Sequence, residues 1–496
     1  MSKRDILAKL DFGQRIAEDE DSLSAYFVET DNWRRLLEGK IDVVYGPKGS
    51  GKSALYSLLV QKATTLFDRG ILLAPAENPR GTPAFSDLVG DPPTSEQEFV
   101  GLWKLYFACL LLATFDEMGL SGSAVEELRQ ALEQEGLAKG AKNLRALVKA
   151  VSDYARRWLK PEAFETSLEV DPHSQHPKAY KGKIIFGEPS AEKSKEGHRS
   201  VDSLFATANE ALKDNIYSVW ILLDRLDVAF AETPQLEQNA LRALFRVYLD
   251  LSAYKYIQLK IFLRSDIWRR ITTSGFREAS HITRVVTIDW DRSSLLNLMV
   301  RRLLHNDFLA ARYGTTDAQV LQTVHSQEQF FYRLFPAQVD EGSKKPSTLD
   351  WMLTRTQDGT QKTAPRELIH LLNELRSHQI KRYETGQPEP AGDVLFERQT
   401  FKEALPEVSR VRLTQTIYAE YPTLRPRLEA LREAKTTQTV DSLAEIWKTT
   451  YVDAQSTATS LVDIGFFERR GERDAPEYWV PFLYRDALDM VQGTAE

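Results

Sequence analysis

Apolar residues fall along the chain in two rhythms. Short runs, apolar except at Asp42, Gly70 and Ser218, occupy positions 41–45, 70–74 and 217–223, and recur within IQLKIFLRSD and ITRVVTID. Runs this short, rich in branched residues and apolar on both faces, predict strands buried inside a parallel sheet. Between them the spacing changes to that of helices, in EQEFVGLWKLYFACLLLATFDEMG, SAVEELRQALEQEGLA, NLRALVKAVSDYARRWLK, SLFATANEALKDN and TPQLEQNALRALFRVYLDLSAY. The last begins on Thr-Pro, a helix-start signal. Five strands alternating with helices predict an α/β fold, a parallel sheet covered on both faces.

Punctuation divides the rest. A polar stretch over 166–200, broken by glycine and proline, predicts a mobile excursion with one short strand in AYKGKIIFG. After Asp291 the pattern is helical: SSLLNLMVRRLLHNDF, AQVLQTVHSQEQFFYRLF and TAPRELIHLLNELR. The break TGQPEPAGD over 385–393 predicts a boundary. Beyond it, VDSLAEIWKTT and DAQSTATSLVDIGFFERR predict two helices, followed by two strand-like runs around GERDAP and EYWVPFLYRDAL, the order of a winged helix. The expected domains are 1–95, N-terminal helices with the first half of a nucleotide core; 96–200, a helical insertion; 201–290, the second half of the core; 291–384, a helical lid; and 394–496, winged-helix-like.

The chemistry concentrates where the first strand meets its helix. IDVVYGPKGSGKSALYSLLV places GPKGSGKS between a β-branched run and an apolar helix. Glycines at 46, 49 and 51 let successive N–H groups approach one anion, and the helix beginning near Lys52 turns its positive dipole end toward it. This predicts a phosphate-binding loop of Gly46, Pro47, Lys48, Gly49, Ser50, Gly51, Lys52, Ser53 and Ala54, with Lys52 reaching the β and γ phosphates and Ser53 coordinating magnesium. The strand best suited to supply a carboxylate is IYSVWILLDRLD, where Asp224 would hold the metal through its water shell or would merely cap a turn. Arg264 ends its strand at the carboxyl edge, where ligands of such sheets collect, either near a γ-phosphate or as an ordinary surface arginine. His173 and His176, in HSQH, lack further ligands and read as solvated loop histidines.

Composition narrows the function classes. The chain has 64 Lys and Arg against 71 Asp and Glu, a formal charge of −7, which argues against a generally basic nucleic-acid coat. Cys109 is the single cysteine, so no disulfide framework or thiolate metal site is expected, in keeping with a reducing cytoplasm. The N-terminal stretch does not read as a secretion signal, and the apolar run from Leu102 contains Lys104 and reads as a buried helix, so no membrane contact is expected.

GPKGSGKS, ILLDRLD, KIFLRSD and TAPRELIHLLNELR together resemble the AAA+-like P-loop ATPases grouped as STAND and KAP-type proteins and their replication-initiator relatives, most of all a bacterial branch often encoded beside mobile-element and antiviral genes. The resemblance implies an ATPase using ATP and Mg2+, with Lys52 and Ser53 as phosphate-loop ligands, Asp224 as the metal residue, Asp227 as the acid that polarises water, Arg264 as a sensor, and Arg366 as a lid arginine reading the γ-phosphate. Arg225 departs from the glutamate of the wider class. A guanidinium cannot accept a proton from water, so slow turnover is expected.

Two readings follow. One is a slowly hydrolysing regulatory or assembly switch that self-associates and engages a protein effector, with a role in antiviral defence. The other is a DNA-dependent ATPase or loader gripping duplex through the winged helix, for which Arg410, Arg412, Arg425 and Arg427 would form one face. Positions 397–435 hold eight basic and six acidic residues, a net of +2, which predicts only weak or conditional duplex binding.

Overall fold

The computed structural model describes residues 2–16, 20, 22–77, 95–137, 144–159, 184–185, 199–226, 234–273 and 275–495. The chain forms two units: unit 1 is Met1–Thr30, Pro47–Gly51 and Ile288–Glu496, and unit 2 is Asp31–Gly46 and Lys52–Thr287.

Unit 2 is built on a five-stranded sheet. In chain order its strands are β1 (Val43–Gly46), β2 (Ile71–Pro75), then, after the two-residue pieces β3 (Ile184–Ile185) and β4 (Arg199–Ser200), β5 (Ser218–Leu223), β6 (Ile257–Arg264) and β7 (Val285–Thr287). They lie in the order β2-β5-β6-β1-β7, and every pairing is parallel. All five runs expected from the apolar pattern are therefore strands of one parallel sheet. β3 falls inside the AYKGKIIFG segment; His173 and His176 lie outside the described residues.

The helix Glu96–Glu117 carries the core of this unit. Ser95 caps it by accepting from the Glu98 amide, and Glu96 and Glu98 complement the dipole of its first turn. Its apolar residues extend all round, so it must be buried on every side. The helix is long and apolar enough to cross a membrane, but 83% of its most apolar window is buried inside the protein. Trp103 donates to the Ala240 carbonyl at 2.8 Å, and Lys104 is held by Asp202 and Asp250, each at 2.7 Å. Residues of this helix and of Ser123–Gln134 and Leu144–Leu159 share one apolar core with Val43, Ile221 and Ile261 of the sheet.

In the middle of β6, Lys260 is fully buried, 2.7 Å from Asp42, the residue before β1, and stacked over the Trp220 ring. Burial pushes the Lys260 ammonium down to about 8 from 10.5, although Asp42 opposes the shift. A lysine depressed in the folded state carries a cost that is present below the folded value and disappears as pH rises from about 8 toward the unfolded value. Wild type is therefore expected to gain stability between pH 8 and 10 relative to Lys260→Met, in which Asp42 keeps Arg284 at 2.8 Å. Parallel urea-midpoint curves for the two proteins would contradict this.

Unit 1 is helical with a small second sheet. Arg292–Leu304, Val324–Leu334 and Pro365–Glu384 pack with Arg398–Arg412, Val440–Trp447 and Tyr451–Asp463 around one apolar core. The 385–393 break thus separates helices rather than cores: Gln379 of the Pro365–Glu384 helix accepts from the Glu397 amide at 2.9 Å and from Thr400 at 2.7 Å. The sheet comprises β8 (Lys435–Gln438), β9 (Glu468–Gly471), β10 (Pro476–Trp479) and β11 (Val491–Thr494), ordered β11-β8-β10-β9, with β9 and β10 antiparallel.

Candidate functional site

β1 ends at Gly46 and a helix begins at Lys52, running to Gln61. The five residues between them form the loop, in which Gly49 and Gly51 have φ of +78° and +99°. Lys52 is partly buried and its Nζ donates to the Gly46 carbonyl at 3.0 Å, so the ammonium curls back over its own loop. Strand and helix on a parallel sheet make unit 2 an α/β fold, while the glycine-containing loop Pro47–Gly51 belongs to unit 1.

Register places the neighbouring side chains. Gly46 is the Cα partner of Arg264, the last residue of β6. Arg264 grips Asp266 through both carboxylate oxygens, Nε to Oδ1 at 3.1 Å and Nη2 to Oδ2 at 2.8 Å. Burial acts to raise the Asp266 carboxyl, but the Arg264 guanidinium more than offsets this and holds it below the ordinary value. Asp224 follows β5 directly and is 5% exposed. Gly46, Lys52, Ser53, Asp224 and Arg264 therefore meet at or beside the carboxyl edge of the sheet, where ligands of parallel sheets bind. Arg225 sits at φ +58°, a left-handed conformation that costs most side chains free energy. Asp227 lies outside the described residues.

Oxygen donors from Ser53, in the first turn of the Lys52–Gln61 helix, and from the buried Asp224 would suit a hard cation such as Mg2+. Among the described residues no three His, Cys, Asp or Glu converge on one point, so such a cation would draw its remaining ligands from phosphate and water.

In unit 1 the loop residues meet the Pro365–Glu384 helix. A Cβ built on Gly49 would stand 3.2 Å from Arg366 Cβ and 3.4 Å from Ala364 Cβ. Only glycine fits both that space and that φ. The Ser50 carbonyl accepts from Trp290 Nε1 at 2.8 Å, and Lys48 is ion-paired with Glu420. Arg366 therefore lies against the loop, and its buried Nε has no hydrogen-bond partner among the described residues.

Two findings depart from the sequence reading. Arg412 is no part of an exposed basic face: it is 7% exposed, with Nη1 donating to Glu367 at 2.7 Å and Nη2 ion-paired with Asp358 at 3.8 Å. Arg410 is paired with Glu407 and Arg427 donates to the Trp447 carbonyl; with Arg412 buried, the four arginines do not form one exposed face. Secondly, Glu77, 1% exposed, stands just beyond β2 at the same edge as Asp224. A search for apolar runs ending in acid would have found it had two spacer residues, Pro75 and Ala76, been allowed.

No family model matches the chain, and no curated protein does. Among solved structures it is similar to the Aeropyrum pernix ORC2 protein in its ADPNP–ADP complexes, with 11% identity over 92% of this chain and 90% of that one and a TM-score of 0.30. Likeness at that level adds nothing to the geometry above.

Proposed function

We propose that the chain is an AAA+-like, Mg-ATP-binding ATPase of slow turnover that works as a regulatory or assembly switch. The observation that carries the reading is the register of the sheet edge, which sets Arg264 beside Gly46 at the mouth of the phosphate loop with Asp224 buried one strand further on. Lys52 neutralises the terminal phosphates, Ser53 and Asp224 hold the metal, and Arg264 responds to the γ-phosphate. When bound, Mg2+ supplies charge neutralisation between the β and γ phosphates. A nucleotide shifts a two-state equilibrium only through contacts that differ between the states, and the γ-phosphate is the group that ATP has and ADP lacks. Self-association and recruitment of a protein effector would be the output.

The order of two helices and a hairpin after β8 supports a winged helix, but its charge does not favour a duplex grip. The Tyr451–Asp463 helix exposes Asp453, Gln455, Ser456, Thr459, Ser460 and Asp463 and contains no lysine or arginine. Phosphate neutralisation is what drives DNA binding, so this helix suits a protein partner better. The deciding experiment is ATPase turnover with and without duplex DNA, alongside solution mass in ATP and in ADP. A large, salt-sensitive stimulation by DNA with unchanged mass would favour the DNA-dependent loader instead. In the same assay, Asp224→Asn is expected to keep its ATP affinity in EDTA and to lose the increment that magnesium adds; an undiminished increment would remove Asp224 from the metal site.

A further inference from the structure

We propose that Glu77 is the carboxylate that activates the attacking water, taking the place that Arg225 leaves vacant after Asp224. The inference rests on the nucleotide reading above and adds a residue to that site.

The placement follows from strand register. β2 pairs with β5 in parallel, with Ala74 opposite Ile221 and Pro75 opposite Leu222. The pairing continues past the strand, since the Ala76 amide donates to the Leu222 carbonyl at 2.8 Å. Two residues beyond Pro75 and Leu222 stand Glu77 and Asp224, side by side on adjacent strand ends. Both are buried.

The phosphate-loop helix ties this pair to the nucleotide site. Tyr56 lies four residues after Lys52 and three after Ser53, hence on the same helix face. Its hydroxyl donates to the Glu77 carbonyl at 2.9 Å. Tyr106, from the Glu96–Glu117 helix, donates to the preceding carbonyl, that of Ala76, at 2.7 Å. Two buried tyrosines thus fix two successive carbonyls at the end of β2, which holds the Glu77 backbone in a single position. Burial, followed by the nearby carboxylates of Asp224 and Glu77, keeps the Tyr56 phenol well above its ordinary value, as expected if both acids face it. A strand end needing only to stop would not require this scaffolding; a carboxylate that must act on one water does.

In the reaction the water oxygen attacks the γ-phosphorus. The bond from phosphorus to the β–γ bridging oxygen breaks, its electron pair leaving with ADP, and the water proton passes to the Glu77 carboxylate and on to solvent. Asp224 would hold the metal, so the adjacent acids would divide the work.

The test compares wild type, Glu77→Gln and Glu77→Asp for binding of a fluorescent ATP analogue with magnesium and for phosphate release in single and multiple turnover. Glu77→Gln is expected to bind within about threefold of wild type and to lose at least about a hundredfold in kcat, the range for removing a general base. Glu77→Asp, one methylene shorter, is expected to fall between them. Turnover within threefold of wild type in Glu77→Gln overturns the proposal while leaving the nucleotide reading intact. If Glu77→Gln does not fold, wild-type turnover in Glu77→Asp overturns it instead. Failure of wild type itself to bind or hydrolyse ATP removes both.

Discussion

Lys52→Ala is expected to weaken ATP binding by between about tenfold and a hundredfold and to leave the melting temperature unchanged or slightly raised. The first half follows from charge: a hydrogen bond from an ammonium to phosphate is worth about 1.5–3 kcal/mol net, and Lys52 is placed at the start of the helix with its Nζ already over the loop. The second half follows from the same position. A cation in the first turn of a helix opposes the dipole, so its removal relieves a small unfavourable interaction in the nucleotide-free protein. Loss of a phosphate ligand and loss of fold are therefore separable. Titration with a fluorescent ATP analogue, beside a thermal melt, reads both. Unchanged affinity would end the phosphate-loop reading, and with it the roles given to Ser53, Asp224 and Glu77.

What the sequence made legible was local. The five apolar runs and GPKGSGKS each form within a few residues, and each appears where its spacing predicts, with β6 ending on Arg264. Arg264 was readable as the last residue of its strand, although its neighbour across the sheet, Gly46, is remote in the chain. What escaped depends on distant partners. Glu77 is a site candidate only because β2 lies next to β5, and no periodicity reveals strand adjacency. Arg412 falls at the apolar spacing of Phe401, Leu405 and Val408, but an arginine can be buried there only because Glu367 and Asp358, remote in the chain, wait for it. The proline and glycine break over 385–393 is a real turn, but whether a turn separates cores is decided by side chains on both sides of it, here Gln379 and Thr400. Arg225 is a third case: its chemistry was readable, its left-handed backbone was not.

Arg412→Ala is expected to cost unit 1 about 3–5 kcal/mol, the range for leaving a buried charge without its partner. Arg412 is enclosed by Glu367 at 2.7 Å, Asp358 at 3.8 Å and the Tyr484 hydroxyl at 3.5 Å. Burial works against its charge, yet the neighbouring carboxylates hold the guanidinium protonated, so what alanine removes is a full positive charge. The consequence reaches the loop. Glu367 Oε1 accepts from Arg412, while Oε2, which has no hydrogen-bond partner among the described residues, lies 3.5 Å from where a Gly49 Cβ would be. Without Arg412, an uncompensated carboxylate would stand beside a loop built to hold anions, and ATP affinity should fall further than the stability loss explains, most at low salt. The paired variant Glu367→Gln with Arg412→Met removes both charges and keeps the volume. It should recover most of the stability, because replacing a buried ion pair outright is often neutral where breaking it is not. Urea unfolding gives the stability term, and ATP titration at two salt concentrations gives the electrostatic one. If Arg412→Ala costs less than about 1 kcal/mol, or if the paired variant is no better than the single one, the pair does not act as the neutralising link assigned to it, and the loop is shielded by other charges.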